Sequence, residues 1–221
     1  MQNSREYTVL NNLNLGDVIQ MEVGALLVGK ISNHSCEKGE EVCAGREKGY
    51  IDYQIPFLSA FIIPYVLAYI QWIVGYMAIA RNGREYCHTV MGGEILSKIM
   101  IGMLFIFFPT TMLREEIIGN DLLSRMVEVL YRIDPPTNLF PSIHCLESYI
   151  CMKAALEMKS HTKKFRMGMI GMSILVFLST VFIKQHVILD FFGAVIVAEI
   201  GRLISGYFFQ GYFKLHPVKS N

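Results

Sequence analysis

The chain has 221 residues, 52% of them hydrophobic and 18% charged, with 20 Lys and Arg against 19 Asp and Glu. One principal domain is expected at this length. A net charge of +1 is itself uninformative about nucleic acid; no nucleic-acid partner is expected.

Residues 1–54 are polar and mixed in character. Their one apolar run, 23–29, is far too short to cross a bilayer, and no basic stretch precedes it as a signal peptide would require. A short surface helix is expected over 17–31 and a loop over 39–49. Cys36 and Cys43 are either a disulfide or two free thiols. From residue 55 the composition changes. Residues 55–80 carry no charge and are long enough to cross a hydrocarbon core of about 30 Å. Within them Pro56 lies near the start, and Pro64 is placed deeper, where it would kink the helix. Residues 99–113 form a shorter uncharged run that Lys98 could extend by snorkelling. Leu122, Leu123, Met126, Val129 and Leu130 recur at helical spacing among Asp121, Arg125 and Glu128, which predicts an amphipathic interfacial helix ending before Asp134-Pro135-Pro136. Three further spans are expected over 141–158, 167–183 and 191–213. The first is interrupted by Glu147 and Lys153; the last contains Glu199 and Arg202, spaced to pair on one face. The predicted fold is therefore all-α: a polytopic membrane bundle of about five spanning helices and one interfacial helix over 55–213, behind a polar segment 1–54 and before a tail 214–221.

The most basic connector, residues 159–166, is expected to be cytoplasmic. That orientation places the 114–140 loop and the 184–186 turn together on the outer face of a bacterial plasma membrane. Two polar stretches enter the membrane at that level: Phe140-Pro141-Ser142-Ile143-His144, and Lys184-Gln185-His186-Val187-Ile188-Leu189-Asp190. Asp190, one helical turn from His186, can accept one imidazole N–H and leave the other nitrogen free to attack or to take a proton. A helix beginning at Pro141 and Ser142 would offer unpaired N–H groups to a phosphate, joined by the Ser142 hydroxyl, the Arg114 fork and Lys184. His144 and His186 could then flank a phosphoryl group, one as nucleophile and one as proton donor. Glu147, one turn inside His144, is expected to hold it, to pair with Lys153 or to lie at the lipid interface. Asp134 reads as a turn residue.

These stretches resemble motifs of the type 2 phosphatidic acid phosphatase superfamily. Pro141-Ser142-Ile143-His144 is similar to its Pro-Ser-x-His motif. Ser179, His186 and Asp190 stand in register with its last motif, and Arg114 with the arginine of its first. Asn138-Leu139-Phe140-Pro141-Ser142 and Lys184-Gln185-His186 resemble the bacterial branch that is itself similar to inositol phosphorylceramide synthases. Thr180, Phe107 and Glu115 depart from the superfamily's basic and proline positions. The resemblance implies His186 as nucleophile, His144 as general acid, Asp190 as the group orienting His186, and Arg114, Ser142 and Lys184 as phosphate ligands. Ser179, Glu147 and Asn138 would stand behind them, and neither cofactor nor metal is expected. The expected activity is hydrolysis of a lipid phosphate or isoprenoid diphosphate through a phosphohistidine. A headgroup transferase using the same histidines is the alternative. A non-catalytic or metal-binding protein using His144, His186 and Asp190 is the third reading.

Overall fold

The computed structural model describes residues 44–45, 50–112, 114, 116–117 and 119–215. Among them are seven α-helices: α1 (Tyr50–Gln54), α2 (Ile62–Arg81), α3 (Arg84–Phe107), α4 (Leu122–Ile133), α5 (Ile143–Glu157), α6 (Lys163–Phe182) and α7 (Ile188–Leu215). A 3-10 turn, Ser59–Phe61, leads into α2. Two very short strands, β1 (Ala44–Gly45) and β2 (Thr110–Thr111), pair in parallel, a small addition to the expected all-α fold. The surface helix expected over 17–31 and the Cys36 and Cys43 pairing lie outside the described residues, as does most of the tail.

Among the described residues three helical stretches are long and apolar enough to cross a membrane: Ser59–Arg81, Arg84–Phe107 and Lys163–Phe182. Each answers to one expected span, with altered bounds. Because α2 begins at Ile62, Pro64 falls in its first turn, where a missing N–H costs nothing, rather than at a mid-span kink. The α2–α3 turn passes through Gly83 at φ +110°, a conformation open to glycine alone. Helix α5 has 15 residues, about 22 Å at 1.5 Å per residue, shorter than the core of a bilayer.

The second span is where hydropathy misleads most. It was expected to begin at residue 99 with Lys98 reaching for the membrane surface, but α3 starts at Arg84 and carries Glu94 and Lys98 inside it. Lys98 Nζ lies 2.7 Å from Glu94 and 2.8 Å from Glu147, and both carboxylates are almost wholly buried. Tyr76 also donates to Glu147. Glu147 is thus committed to Lys98 and Tyr76, not to His144 or Lys153, and Lys153 lies 3.1 Å from Glu199 instead. Glu199 and Arg202 do pair, at 2.9 Å. Charges inside an apolar helix are tolerated here because they neutralise one another within the bundle.

Close backbone approach sets the crossing of α3 on α7. A Cβ on Gly93 would meet the Arg202 Cα at 3.0 Å, and one on Gly201 would meet the Gly93 carbonyl oxygen at 2.5 Å. Small residues let two helices approach this closely. Ser97 uses the approach, donating to the Gly93 carbonyl at 2.8 Å and the Val197 carbonyl at 3.2 Å. Helix α4 is capped by Asp121, which accepts from the Ser124 amide at 3.2 Å. It packs Leu123, Val127 and Leu130 against Ile62, Tyr65 and Ile183. Leu122, Met126, Val129 and Ile133 remain exposed, giving α4 a second apolar face suited to a membrane interface.

Removing the Lys98 charge would strand Glu94 and Glu147 in the interior. Lys98→Met should cost about 3–5 kcal/mol in unfolding followed in detergent micelles. A change within experimental error would show that the two carboxylates are held by other means.

Candidate active site

The end of α3, the loop after it, α4, the start of α5 and the α6–α7 turn meet at one end of the bundle, and the two sequence stretches come together there. Ser142 is the N-cap of α5, its hydroxyl accepting from the Cys145 amide at 3.4 Å. The helix therefore begins after Ser142, and Pro141 precedes the cap instead of occupying the first helical position. The α6–α7 turn is tight. The Gln185 and His186 amides both donate to the Thr180 carbonyl, at 2.9 and 3.0 Å, and Lys184 takes a left-handed φ of +54°. His186 thus precedes α7 and does not share a helix face with Asp190.

The histidine and aspartate meet all the same. Asp190 is fully buried in the first turn of α7, and its Oδ2 accepts from the Val187 amide at 3.1 Å, one half of a capping box. The same oxygen lies 3.1 Å from His186 Nδ1, and the Leu139 carbonyl lies 3.0 Å from that nitrogen. Both neighbours of Nδ1 are acceptors, so Nδ1 carries the proton and Nε2 presents its lone pair. The Asp190 carbonyl also accepts from the Ser142 amide at 3.3 Å, joining the starts of α5 and α7.

His144, on α5, stacks on Tyr65 with ring centroids 4.2 Å apart, and Tyr69 and Trp72 complete a box of rings around it. Its Nδ1 faces the Tyr65 hydroxyl at 3.4 Å, while its Nε2 is buried with no protein partner among the described residues.

Arg114 stands in the loop beyond β2, not at a span end. Its guanidinium lies over the Tyr131 ring, 4.4 Å from the centroid. One terminal nitrogen donates to the Asp134 carbonyl at 2.6 Å and the Tyr131 carbonyl at 3.4 Å, and the other to Gln185 Oε1; among the described residues Nε has no protein partner. The guanidinium is thus aimed by the protein, with its buried Nε–H unmatched among the described residues. Gln185 passes the contact on, donating to Asp134 Oδ2 at 3.3 Å.

The other expected site residues serve the scaffold. The Lys184 ammonium donates to the backbone carbonyls of Asp52, at 3.0 Å, and Ile55. Ser179 donates to the Val176 carbonyl of its own helix at 2.7 Å. Asn138 is nearly buried at φ +56°, its amide donating to the Thr110 carbonyl at 2.7 Å. The sequence pattern does not single out Tyr65, Tyr131 or Gln185, and it makes Asp134 a turn residue, whereas all four border the site. Gln185 borders His186 and could have been suspected; the tyrosines belong to ordinary apolar runs. Among the described residues no three His, Cys, Asp or Glu side chains converge to hold a metal, so His144, His186 and Asp190 do not form the metal site that was the third reading.

Burial raises the Asp134 carboxyl above its ordinary value, with His186 and Arg114 pulling it back. Burial lowers the Arg114 guanidinium, opposed chiefly by Asp134.

Comparison with known proteins bears on a different part of the chain. The family model for phosphatidylserine decarboxylase matches residues 1–54. This segment is similar to phosphatidylserine decarboxylases. Phosphatidylserine decarboxylase proenzyme 2 of Clostridium acetobutylicum is 59% identical over 49 residues, 22% of this chain and 16% of the relative. The proenzyme of Clostridium tetani is 42% identical over 52 residues, 24% of this chain and 17% of the relative, and that of Clostridium botulinum matches to the same extent. The chain thus spans about a sixth of the length of these relatives. No solved structure matches. These findings correct the expectation drawn from the motifs: they point to phosphatidylserine decarboxylase and not to the type 2 phosphatidic acid phosphatase superfamily. The phosphatase activity, the headgroup-transferase alternative and the non-catalytic or metal-binding alternative are set aside with it. The misleading signal was local: a few polar residues at helix ends carried that resemblance, while the family likeness lies in the polar segment 1–54.

Asp134 offers a test of the site's electrostatics. A carboxyl raised on folding favours the protonated form. Its contribution to stability is complete below the ordinary carboxylate range and is lost as pH rises through the raised value. Asp134→Asn should therefore flatten the fall of Tm with pH across that window. A slope unchanged in the variant would place the titrating group elsewhere.

Proposed function

We propose that the chain is a membrane protein of aminophospholipid metabolism that binds phosphatidylserine and serves its decarboxylation. The observation that carries this reading is the 59% identity over 49 residues with a phosphatidylserine decarboxylase proenzyme. The membrane-compatible helices and a polar cluster at one end of the bundle agree with a lipid substrate.

In this reading the Arg114 Nε–H, backed by the α5 N-terminus at Ser142, meets the headgroup phosphate. His186 is the reactive imidazole, with Nε2 free to exchange a proton and Asp190 fixing the tautomer. His144 is its counterpart inside the ring of aromatic side chains. Lys184, Ser179, Glu147 and Asn138 support the elements that carry these groups. Decarboxylation breaks the bond from Cα to the serine carboxylate, releases carbon dioxide and puts a proton on the carbon left behind. These side chains can hold the phosphate and deliver that proton; the electron pair of the breaking bond needs an acceptor beyond them.

The same reading places α5 and α7 in the bilayer beside the three apolar helices, giving five spans in a bacterial plasma membrane. The basic 159–166 connector is then inside and the His186 cluster outside.

Two experiments test this. Purified full-length protein in phosphatidylserine vesicles should form phosphatidylethanolamine. Arg114→Lys should raise KM for the lipid roughly tenfold or more while the protein stays folded, because an ammonium cannot reproduce the aimed fork. Intact phosphatidylserine after prolonged incubation would overturn the activity. For orientation, a cysteine at Lys159 should be shielded from an impermeant thiol reagent in whole cells, and one at Glu128 should react. The opposite pattern would put the cluster inside.

A further inference from the structure

The His186 turn is pinned from outside by a residue far away in the chain. Asp52, on α1, accepts at Oδ1 from the Ile188 amide at 3.0 Å. Ile188 is the first residue of α7, so its N–H has no acceptor within the helix, and a carboxylate there also meets the positive end of the helix dipole. The Asp52 backbone carbonyl accepts from the Lys184 ammonium at 3.0 Å, and the Ile55 carbonyl accepts from the same group. Asp52 therefore grips the turn on both sides of His186, at Lys184 before it and at Ile188 after it. Within that grip the Val187 amide and the His186 ring share one oxygen of Asp190. The α7 N-terminus is thus closed by two carboxylates: Asp190 from within the helix and Asp52 from another segment.

We infer that Asp52 is a positioning residue for His186, holding the turn so that Nδ1 faces Asp190 and Nε2 faces the cluster. Asp52 falls inside the stretch 1–54 that matches the phosphatidylserine decarboxylase model. The contact therefore joins the decarboxylase-like part of the chain directly to the imidazole at the end of the bundle. Any change in that part that withdraws Asp52 removes the acceptor of the Ile188 amide and one acceptor of the Lys184 ammonium together, and the ring loses its fixed orientation. The importance of that orientation for lipid turnover rests on the function proposed above; the positioning itself does not.

The test reads the ring first and turnover second. Full-length protein with 15N-labelled histidine is titrated by NMR in detergent micelles, and His186 is assigned by its loss in His186→Ala. Asp52→Ala should change the His186 tautomer balance and move its titration midpoint. Asp52→Asn keeps an acceptor oxygen for Ile188 and should restore the wild-type signals. Should Asp52→Ala not fold, Lys184→Met removes the other half of the grip and should shift the same signals. His186 signals unchanged in Asp52→Ala, or in Lys184→Met where that variant substitutes for it, would overturn the inference. Signals that shift while phosphatidylserine is turned over neither by the wild type nor by Asp52→Asn would leave the positioning standing and remove only the proposed activity.

Discussion

Asp190 is the residue on which the site end of the bundle depends. It is fully buried, and it is satisfied at three points at once. One carboxylate oxygen takes the Val187 amide and the His186 ring, while the backbone carbonyl takes the Ser142 amide. A carboxylate taken out of water needs this degree of hydrogen bonding to be tolerated. Meeting that need brings the starts of α5 and α7 together and fixes the tautomer of His186. The burial of Asp190 and the orientation of His186 thus have a single cause.

A similar economy governs the middle of the bundle. Glu94, Lys98, Glu147 and Tyr76 come from three helices and satisfy one another where water is excluded. On the face between α3 and α7 the constraint is steric, and Gly93 and Gly201 allow the backbones to touch. These two arrangements hold α2, α3, α5 and α7 in place, and the polar cluster sits at the end of the bundle where the His186 turn and the loop after α3 converge. The Arg114 guanidinium, held by two carbonyls, an amide and a tyrosine ring, shows the same pattern of a charge aimed by its neighbours.

Two parts of the chain carry different information about function. Residues 1–54 hold the likeness to phosphatidylserine decarboxylases, and the described helices hold the histidines, Asp190 and Arg114. Asp52 is where the two meet in space, through Ile188 and Lys184.

The sequence by itself determined the helical class and the apolar helices α2 and α6, because a long uncharged run has few ways to satisfy its backbone other than a helix; the start of α3 at Arg84, with Glu94 and Lys98 inside it, was not legible in that way. The sequence also determined the meeting of His186 and Asp190, since four residues across a helix start are bound to be neighbours. The Glu199–Arg202 pair was legible for the same local reason. The tertiary structure alone decided the partners of Lys98 and Glu147, the framing of Arg114 by Tyr131 and Gln185, and the grip of Asp52 on the His186 turn. Each of these contacts joins residues that are distant in the chain, and in a sequence a buried charge looks the same whether its partner is water, lipid or a carboxylate on another helix. Local spacing is written in one dimension, whereas the choice of partner for a buried charge is made only when the helices pack.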